Sequence, residues 1–323
     1  MKWPKRSYLF PLVSGIACLL FMSGCLKPSE FITDRIGIAL APRNNNWGAA
    51  VSKFGTVKAA SYSLPYYLAN AQSSSTLTDS ASQRAQLINM AYPEENPCRV
   101  IILSPVGQDA RSLDTILKAQ IPLIFFERAV ENVEYAYLVT GDNEQAGQQA
   151  ATFIQDTLGA TPPHVLILEA ADTNYQIRIR AFRTQLGIPT IDSLVNTPSK
   201  AAGKAMMLSV LESEGAEAIN AVYTADDDLA LGVLEALNEQ LNTTVKVVVG
   251  CGGEQKLLDL IQSDNTRAIA TTRYAPEMIQ SCVEIAYRIA ILGETPDQKE
   301  EHHPSVLIDR SNLAEYLNPE SYY

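Results

Sequence analysis

The sequence is short of basic residues. Its 323 residues include 25 lysines and arginines against 36 aspartates and glutamates, which gives a formal net charge of −11. Binding to nucleic acid depends on a positively charged surface, so this balance argues against DNA- and RNA-binding proteins. We therefore expect no nucleic-acid partner.

Histidine is also scarce, and the short motifs of common enzyme classes are missing. The three histidines, His164, His302 and His303, do not form an H-E-x-x-H pair, and no G-x-S-x-G or G-x-G-x-x-G pattern occurs. The run Asp226–Asp228 has no nearby histidine or glutamate to complete a metal site. We predict a protein that is not an enzyme and needs no cofactor or metal. His302 and His303 are expected in a solvated loop.

Cysteine is limited to five residues, two of which lie near the N-terminus. The remaining three, Cys98, Cys251 and Cys282, allow at most one disulfide, and no C-x-x-C spacing suggests a redox or metal site. Their simplest role is that of small buried hydrophobic residues. The sequence leaves open whether one pair forms a disulfide.

Long apolar runs are confined to the N-terminus. Lys2, Lys5 and Arg6 precede an apolar segment, Tyr8–Met22, which small residues close before Cys25. This end resembles a bacterial lipoprotein signal, although Met22 stands where such signals usually carry leucine. We predict a signal peptide over residues 1–24, a lipid on Cys25 and a tether over residues 25–34, with an ordinary secretion signal as the alternative.

From Arg35 onward, predicted strands and helices alternate, as expected for parallel sheets covered by helices. Ile121–Phe126 is an uninterrupted apolar run typical of a strand buried on both faces. Tyr135–Val139 predicts the next strand, and Asp142 caps the helix Glu144–Leu158. Two such series follow each other along the chain. We predict an α/β protein with two doubly wound lobes that face a cleft.

Several stretches, in their order along the chain, resemble the type I periplasmic sugar-binding proteins, which include the ribose and galactose binders of bacterial ABC importers. They are IGIALAPRNNNW, VIILSPV, IPLIFFER, AYLVTGDNEQAG, DDDLALGVLEAL, KVVVGCGG and IDRSNLAEYL. The resemblance implies two lobes joined by a hinge of three crossings, near Val139–Asp142, Thr271–Tyr274 and Ser305–Asp309. The implied lobes are residues 35–140 with 273–305, and residues 141–272 with 306–323.

The resemblance also implies a ligand site, which begins in the first lobe. Asn45 and Trp47 follow the first strand, where relatives place a polar group and an aromatic ring, and an indole face suits the C–H bonds of a sugar. Core packing is the alternative role for Trp47. Glu127 and Arg128 follow the fourth strand, where a carboxylate and a guanidinium can accept from and donate to neighbouring hydroxyls.

In the second lobe, Arg178 corresponds to an arginine that grips the sugar oxygens, with Arg180 as the alternative. Asn174 lies just before it, and Asp226 takes the place of an asparagine. Asp227 and Asp228 are expected to cap the following helix. Tyr274 replaces an amide at the second crossing.

Other departures from the family pattern point to a different ligand. Gly252 stands where relatives carry an aspartate that binds the sugar, and Pro198 stands near the second aromatic ring. Relatives' calcium loop has no counterpart in Gly159–Val165. Four arginines lie at candidate positions: Arg43, Arg128, Arg178 and Arg273. Fewer acceptors and more donors favour a sugar acid or another polyhydroxy carboxylate.

Taken together, these patterns predict an extracytoplasmic, lipid-anchored binding protein that delivers a small polyhydroxylated ligand to an ABC permease. We expect it to act as a monomer. A module that presents its closed form to a membrane receptor or histidine kinase is the alternative. A transcriptional regulator with this fold is disfavoured, because the chain has a secretion signal and no basic helix-turn-helix segment.

Overall fold

The computed structural model describes most of the chain from Asp34 onward. The described residues are 34–42, 46–71, 79–93, 96–170, 173–196, 198–213, 215–317 and 323. The predicted signal peptide, nearly all of the tether, Cys25, Arg43 and Asn45 lie outside these ranges.

A parallel sheet forms the centre of the first part of the molecule. Its described strands are β1 (Arg35–Leu40), β2 (Tyr66–Asn70), β3 (Cys98–Leu103), β4 (Leu123–Phe126), β5 (Tyr137–Gly141) and β11 (Glu300–His303). Their order across the sheet is β11-β5-β4-β3-β1-β2. The helices of this part are α1 (Asn46–Ser61), α2 (Asp79–Ala91), α3 (Asp114–Lys118) and α9 (Ile279–Ala290). Helix α9 returns to pack on α1, β3, β4 and β5.

A second sheet repeats the pattern. Its described strands are β6 (Val165–Glu169), β7 (Ile191–Leu194), β8 (Ala221–Thr224), β9 (Val247–Gly252), β10 (Ala268–Arg273) and β12 (Leu307–Ile308). Their order is β12-β10-β9-β8-β6-β7, and β12 runs antiparallel to β10. The helices are α4 (Asn143–Leu158), α5 (Thr173–Leu186), α6 (Lys200–Leu211), α7 (Asp227–Glu239) and α8 (Gln255–Ser263).

The chain passes between the two sheets three times, after β5, after β10, and between β11 and β12. We call the first sheet with α1, α2, α3 and α9 the first lobe, and the second sheet with α4–α8 the second lobe. Strand order reverses between β1 and β3 in one lobe and between β6 and β8 in the other. Ligands bind outside the carboxyl ends of parallel strands near such reversals. The predicted fold class, two doubly wound lobes with a three-crossing hinge, is confirmed.

The central strands of each sheet are buried on both faces. The apolar run that the sequence indicated becomes β4, whose four residues are all buried, with Phe125 on one face of the sheet and Phe126 on the other. Burying such a side chain contributes about 1.5–3 kcal/mol. Since helices cover both faces, the central strands read as continuous apolar segments and not as alternating ones.

One expectation was wrong. His302 and His303, which the sequence analysis assigned to a solvated loop, belong to β11, which pairs in parallel with β5 at the edge of the first sheet. An edge strand tolerates charged side chains because one side of its backbone faces away from the sheet. The Glu301 carboxylate accepts a hydrogen bond from the Ser281 hydroxyl (2.9 Å) and lies 2.7 Å from the His303 ring. This carboxylate therefore has polar partners at the edge of the sheet.

The three internal cysteines are buried and free, as small hydrophobic residues would be. Within the described ranges, no helix combines the length and apolar character needed to cross a membrane.

Candidate ligand-binding site

The carboxyl ends of both sheets open onto one cleft. A cavity of about 690 Å³ lies between the lobes and is lined by residues from each. Among them are Glu127 and Arg128 of the first lobe and Asn174, Tyr175 and Asp226 of the second. These five side chains come from three distant parts of the sequence and lie at the edge where a doubly wound fold binds its ligand.

Glu127 is held in an unusual backbone conformation at the end of β4. Its φ is 71°, a region that residues other than glycine seldom occupy, and its side chain is 4% exposed. The Thr140 hydroxyl donates to its main-chain oxygen (2.7 Å), and the Ser104 hydroxyl donates to its carboxylate (3.2 Å). These bonds fix a carboxylate at the cleft wall. Strain of this kind is typical of functional sites.

Arg128 lies beside it and is half-buried. One of its terminal nitrogens donates to the main-chain oxygen of Pro105 (2.8 Å), and the residue lines the cleft. This contact anchors the guanidinium at the cleft wall. Glu127 and Arg128 thus line the cleft at the end of β4, where their sequence position placed them, and their contact with a ligand stays a prediction.

Trp47 is largely enclosed. Its indole stacks on Phe126, with ring centroids 5.9 Å apart and planes 19° apart, and its ring N–H donates to the Tyr274 carbonyl oxygen (2.9 Å). The side chain is only 7% exposed. It still borders a small cavity at the inner end of the cleft, which we call the inner cavity. Trp47 therefore takes part in the core, and its stacking on a ligand stays a prediction.

Arg178 projects from α5 into the interior. Its Nε donates to Asn143 Oδ1 (2.7 Å) and its Nη1 to the Ala225 carbonyl (2.9 Å), while the guanidinium lies 4.2 Å from the centre of the Tyr274 ring. No carboxylate in the described part of the chain forms an ion pair with it. Arg180, the alternative from sequence, is exposed on the same helix. The charge of Arg178 thus faces two neutral acceptors and the rings of Tyr175 and Tyr274.

The three aspartates after β8 do not have the capping roles that the sequence predicted. Asp226 is the N-cap of α7, where one carboxylate oxygen accepts from the amides of Asp228 and Leu229 and the other accepts from the Tyr175 hydroxyl (2.7 Å). The prediction that Asp227 and Asp228 cap this helix was wrong. A residue in the cap position must have non-helical backbone angles, and Asp226 is the last extended residue before the helix.

Asp227 points inward instead, and the sequence analysis missed its role. Its carboxylate accepts from the amides of Gly253 (2.6 Å) and Glu254 (2.8 Å) and from the Thr271 hydroxyl (2.7 Å). Burial raises the pKa of Asp227 to about 7, against the opposing effect of these donors. An added Cβ on Gly252 would lie 2.7 Å from the Asp227 carboxylate. The Asp227 carboxylate thus lies directly beside Gly252.

Tyr274 belongs to the hinge. It is 3% exposed, and the amide of Gly141 points to its hydroxyl (3.4 Å). A Cβ on Gly141 would approach the Tyr274 ring within 2.2 Å, so only glycine allows the first and second crossings to touch. Arg273, a candidate from sequence, pairs with Glu277 (3.0 Å). Tyr274 borders the inner cavity, whereas Arg273 serves a salt bridge.

A hydrogen bond joins the two lobes directly. Asn46 at the start of α1 donates to Glu254 (2.5 Å), which lies just before α8 of the opposite lobe. Sequence reasoning chose the neighbouring Asn45 and missed both partners. The described residues contain no cluster of three or more histidine, cysteine, aspartate or glutamate side chains suited to a metal.

Comparison with known proteins agrees with this architecture. A family model described as "Periplasmic binding protein domain" matches residues 36–295. The chain belongs to this family. Periplasmic binding proteins are not enzymes, which agrees with the missing catalytic motifs.

Individual relatives of this periplasmic binding protein are distant. It is 25% identical over 270 residues to the ribose import binding protein of Bacillus subtilis (strain 168), covering 81% of this chain and 84% of the relative. A solute-binding protein of Bacillus halodurans C-125 with bound myo-inositol superposes with a TM-score of 0.77 at 19% identity, covering 91% and 100% of the two chains. The binding protein of the arabinose transporter from Shewanella sp. ANA-3 gives 0.75 at 16% identity, covering 87% and 94%.

Proposed function

We propose that this protein captures a small sugar or sugar-like ligand between its lobes and presents it to an ABC permease. Its relatives include proteins named for ribose and arabinose, and a solved structure that holds myo-inositol. These ligands are small and carry several hydroxyls. A cleft with carboxylates, arginines and aromatic rings from both lobes has the donors and acceptors that such molecules need.

Closure of the lobes is the proposed working step. The proposed rigid bodies are residues 35–140 with 273–305, and residues 141–272 with 306–323. Ligand groups that touch both lobes stabilise the closed state, since a ligand shifts an equilibrium only by its difference in affinity for the two states. The bond from Asn46 to Glu254 supports a closed arrangement by linking the lobes directly.

The ligand class rests on Arg178. This guanidinium is 4% exposed, borders the inner cavity, and has no ion-pair partner in the described part of the chain. A buried charge is costly unless it is paired. We therefore propose a sugar acid, whose carboxylate pairs with Arg178 when the lobes close. Neutral sugars of the kind that relatives bind are the competing ligands for this site.

A calorimetric and thermal-shift screen of monosaccharides, uronates and polyols tests this function. We expect a uronate to raise the melting temperature, because a ligand that binds only the native state stabilises it. Arg178→Ala is expected to weaken binding at least about 10-fold, since a charge-assisted hydrogen bond contributes about 1.5–3 kcal/mol.

Arg180→Ala is the matched control, because it removes an exposed arginine from the same helix. It should bind as the wild type does. Binding of neutral monosaccharides with no response to uronates contradicts the acidic ligand, and the absence of any response across the screen contradicts the proposed function.

We further propose that the protein works outside the cytoplasm as a monomer, held to the membrane by a lipid on Cys25. The family supports an extracytoplasmic location. The lipid rests on the signal-like sequence that ends at Cys25.

A further inference from the structure

Tyr323 is partly buried beside the core of the first lobe, although it follows the last described β-strand by fifteen residues of sequence. It borders the inner cavity together with Trp47 and Tyr274, and with Tyr175, Arg178 and Asp226 of the second lobe. Its ring packs against the first core cluster, which contains Trp47, Phe126 and Cys251. The resemblance to sugar-binding proteins implied no role for Tyr323.

The Tyr323 hydroxyl lies close to Gly252. A Cβ built on Gly252 would lie 2.4 Å from the Tyr323 hydroxyl oxygen and 2.7 Å from the Asp227 carboxylate. Any larger residue at 252 would collide with both. Burial, together with the charges of Asp227, Asp226 and Glu254, raises the pKa of Tyr323 well above its usual range, so the hydroxyl stays protonated.

The space that remains beside Tyr323 is small. The inner cavity measures about 20 Å³, which has room for about one water molecule. The outer cleft, about 690 Å³, has room for a small ligand but is not bordered by Arg178. A monosaccharide that reaches Arg178 therefore needs volume that the side chains around the inner cavity, the Tyr323 ring among them, now occupy.

We propose that Tyr323 is an intramolecular competitor for the inner end of the ligand cleft, so that a ligand must displace its side chain to reach Arg178. The apparent affinity is then the intrinsic affinity multiplied by the fraction of molecules in which Tyr323 has left the site. If nine molecules in ten are occupied, removing the ring strengthens binding about 10-fold. This inference rests on the proposed function for its ligand, but the occupancy itself can be tested without one.

Acrylamide quenching of Trp47 fluorescence provides the test that needs no ligand. The chain contains two tryptophans, so a Trp3→Phe background leaves Trp47 as the sole reporter. We expect Tyr323→Ala to raise the quenching constant at least about 2-fold, because it opens the cavity that Trp47 borders. Tyr323→Phe should match the background protein, since it keeps the ring. Unchanged quenching in Tyr323→Ala, with native circular dichroism, overturns the proposal.

Tyr316→Ala is the matched control. This tyrosine is partly buried against the core of the second lobe and does not border the inner cavity. It should leave quenching unchanged. Equal increases in Tyr316→Ala and Tyr323→Ala would show general loosening and would count against the proposal.

Titration calorimetry with D-galacturonate and D-ribose provides the second test. Tighter binding of either probe by Tyr323→Ala than by the wild type supports competition, whereas weaker binding shows that Tyr323 is a ligand contact and overturns it. If neither probe binds any variant, the proposed ligand class fails, and the quenching result still decides whether Tyr323 fills the site.

Discussion

At the residue scale, the cleft shows how burial changes the role of a charge. Asp226 and Asp227 are adjacent in sequence, but one caps a helix at the cleft wall and the other is enclosed in the second lobe. The difference arises because Asp226 has the extended backbone of a cap residue, whereas Asp227 is the first residue of α7 and its side chain turns inward. A run of three aspartates therefore contains both a surface cap and a buried acid.

The buried acid predicts a dependence of stability on pH. The folded-state pKa of Asp227 is raised from 3.8 to about 7, so the folded protein binds this proton more tightly than the unfolded chain does. Its contribution to the free energy of unfolding is present below about pH 4 and is lost as the pH rises towards 7. Across this pH range the Asp227 contribution to the free energy of unfolding changes by on the order of 4 kcal/mol.

Asp227→Asn should make the free energy of unfolding less dependent on pH, because the amide does not ionise. Urea unfolding at several values of pH between 4 and 8 measures the effect. Asp259→Asn, at an exposed position in α8, is the control and should keep the wild-type slope. The same slope in Asp227→Asn and in wild type would assign the dependence to other groups.

At the element scale, the molecule depends on close contacts between helices. Helices α6 and α7 meet through Gly203 and Gly232, and a Cβ on Gly232 would lie 2.1 Å from the main-chain oxygen of Lys200. Backbone atoms cannot move aside as a flexible side chain does. The glycine inside DDDLALGVLEAL thus sets the distance between two helices that cover the second sheet.

Gly232→Ala tests this contact. Alanine favours a helix over glycine by about 1 kcal/mol, but overpacking costs typically 1–3 kcal/mol and more where backbone atoms collide. We expect a net loss of roughly 1–2 kcal/mol in the free energy of unfolding, measured by denaturant titration.

Gly55→Ala is the matched change in α1. Its Cβ would meet two side chains, Ile279 at 3.3 Å and Ile38 at 3.9 Å, and no backbone atom within 4 Å is among its three nearest neighbours. We expect a smaller loss or a slight gain. An equal loss for the two glycines would mean that helix spacing is not the cause.

At the scale of the whole molecule, two lobes and a membrane anchor would define the working protein. The cleft forms only because the chain crosses between the sheets three times, which lets each lobe contribute residues from distant parts of the sequence. A lipid on Cys25 would hold this cleft near a permease in the same membrane.

Cys25→Ser tests the anchor. Without the thiol no lipid can be attached, so the protein is expected to move from the membrane fraction to the soluble fraction after cell disruption. Immunoblotting of the two fractions measures this shift, with Cys98→Ser as the control because Cys98 is buried in the first lobe. Retention of Cys25→Ser in membranes to the wild-type level contradicts a lipid anchor.

The sequence by itself determined the alternation of strands and helices, the two lobes, and several residues of the cleft wall. Local patterns carry this information: apolar runs such as Ile121–Phe126 predict buried strands, and polar residues directly after them fall at the ligand-binding edge. Glu127, Arg128 and Asp226 were found this way, and all three border the cleft. The edge strand Glu300–His303 was missed because its residues are charged and its only pairing is with a distant strand.

Only the tertiary structure decided which charges are buried and which side chains border the inner cavity. The enclosure of Asp227, the contact of Gly141 with Tyr274 and the position of Tyr323 beside Gly252 each join residues more than forty positions apart or across a lobe boundary. No local pattern encodes such pairs, because each depends on how two packed sheets are placed by the hinge. The physical reason is that burial and close approach are properties of the assembled lobes, whereas periodicity and capping are properties of a short segment.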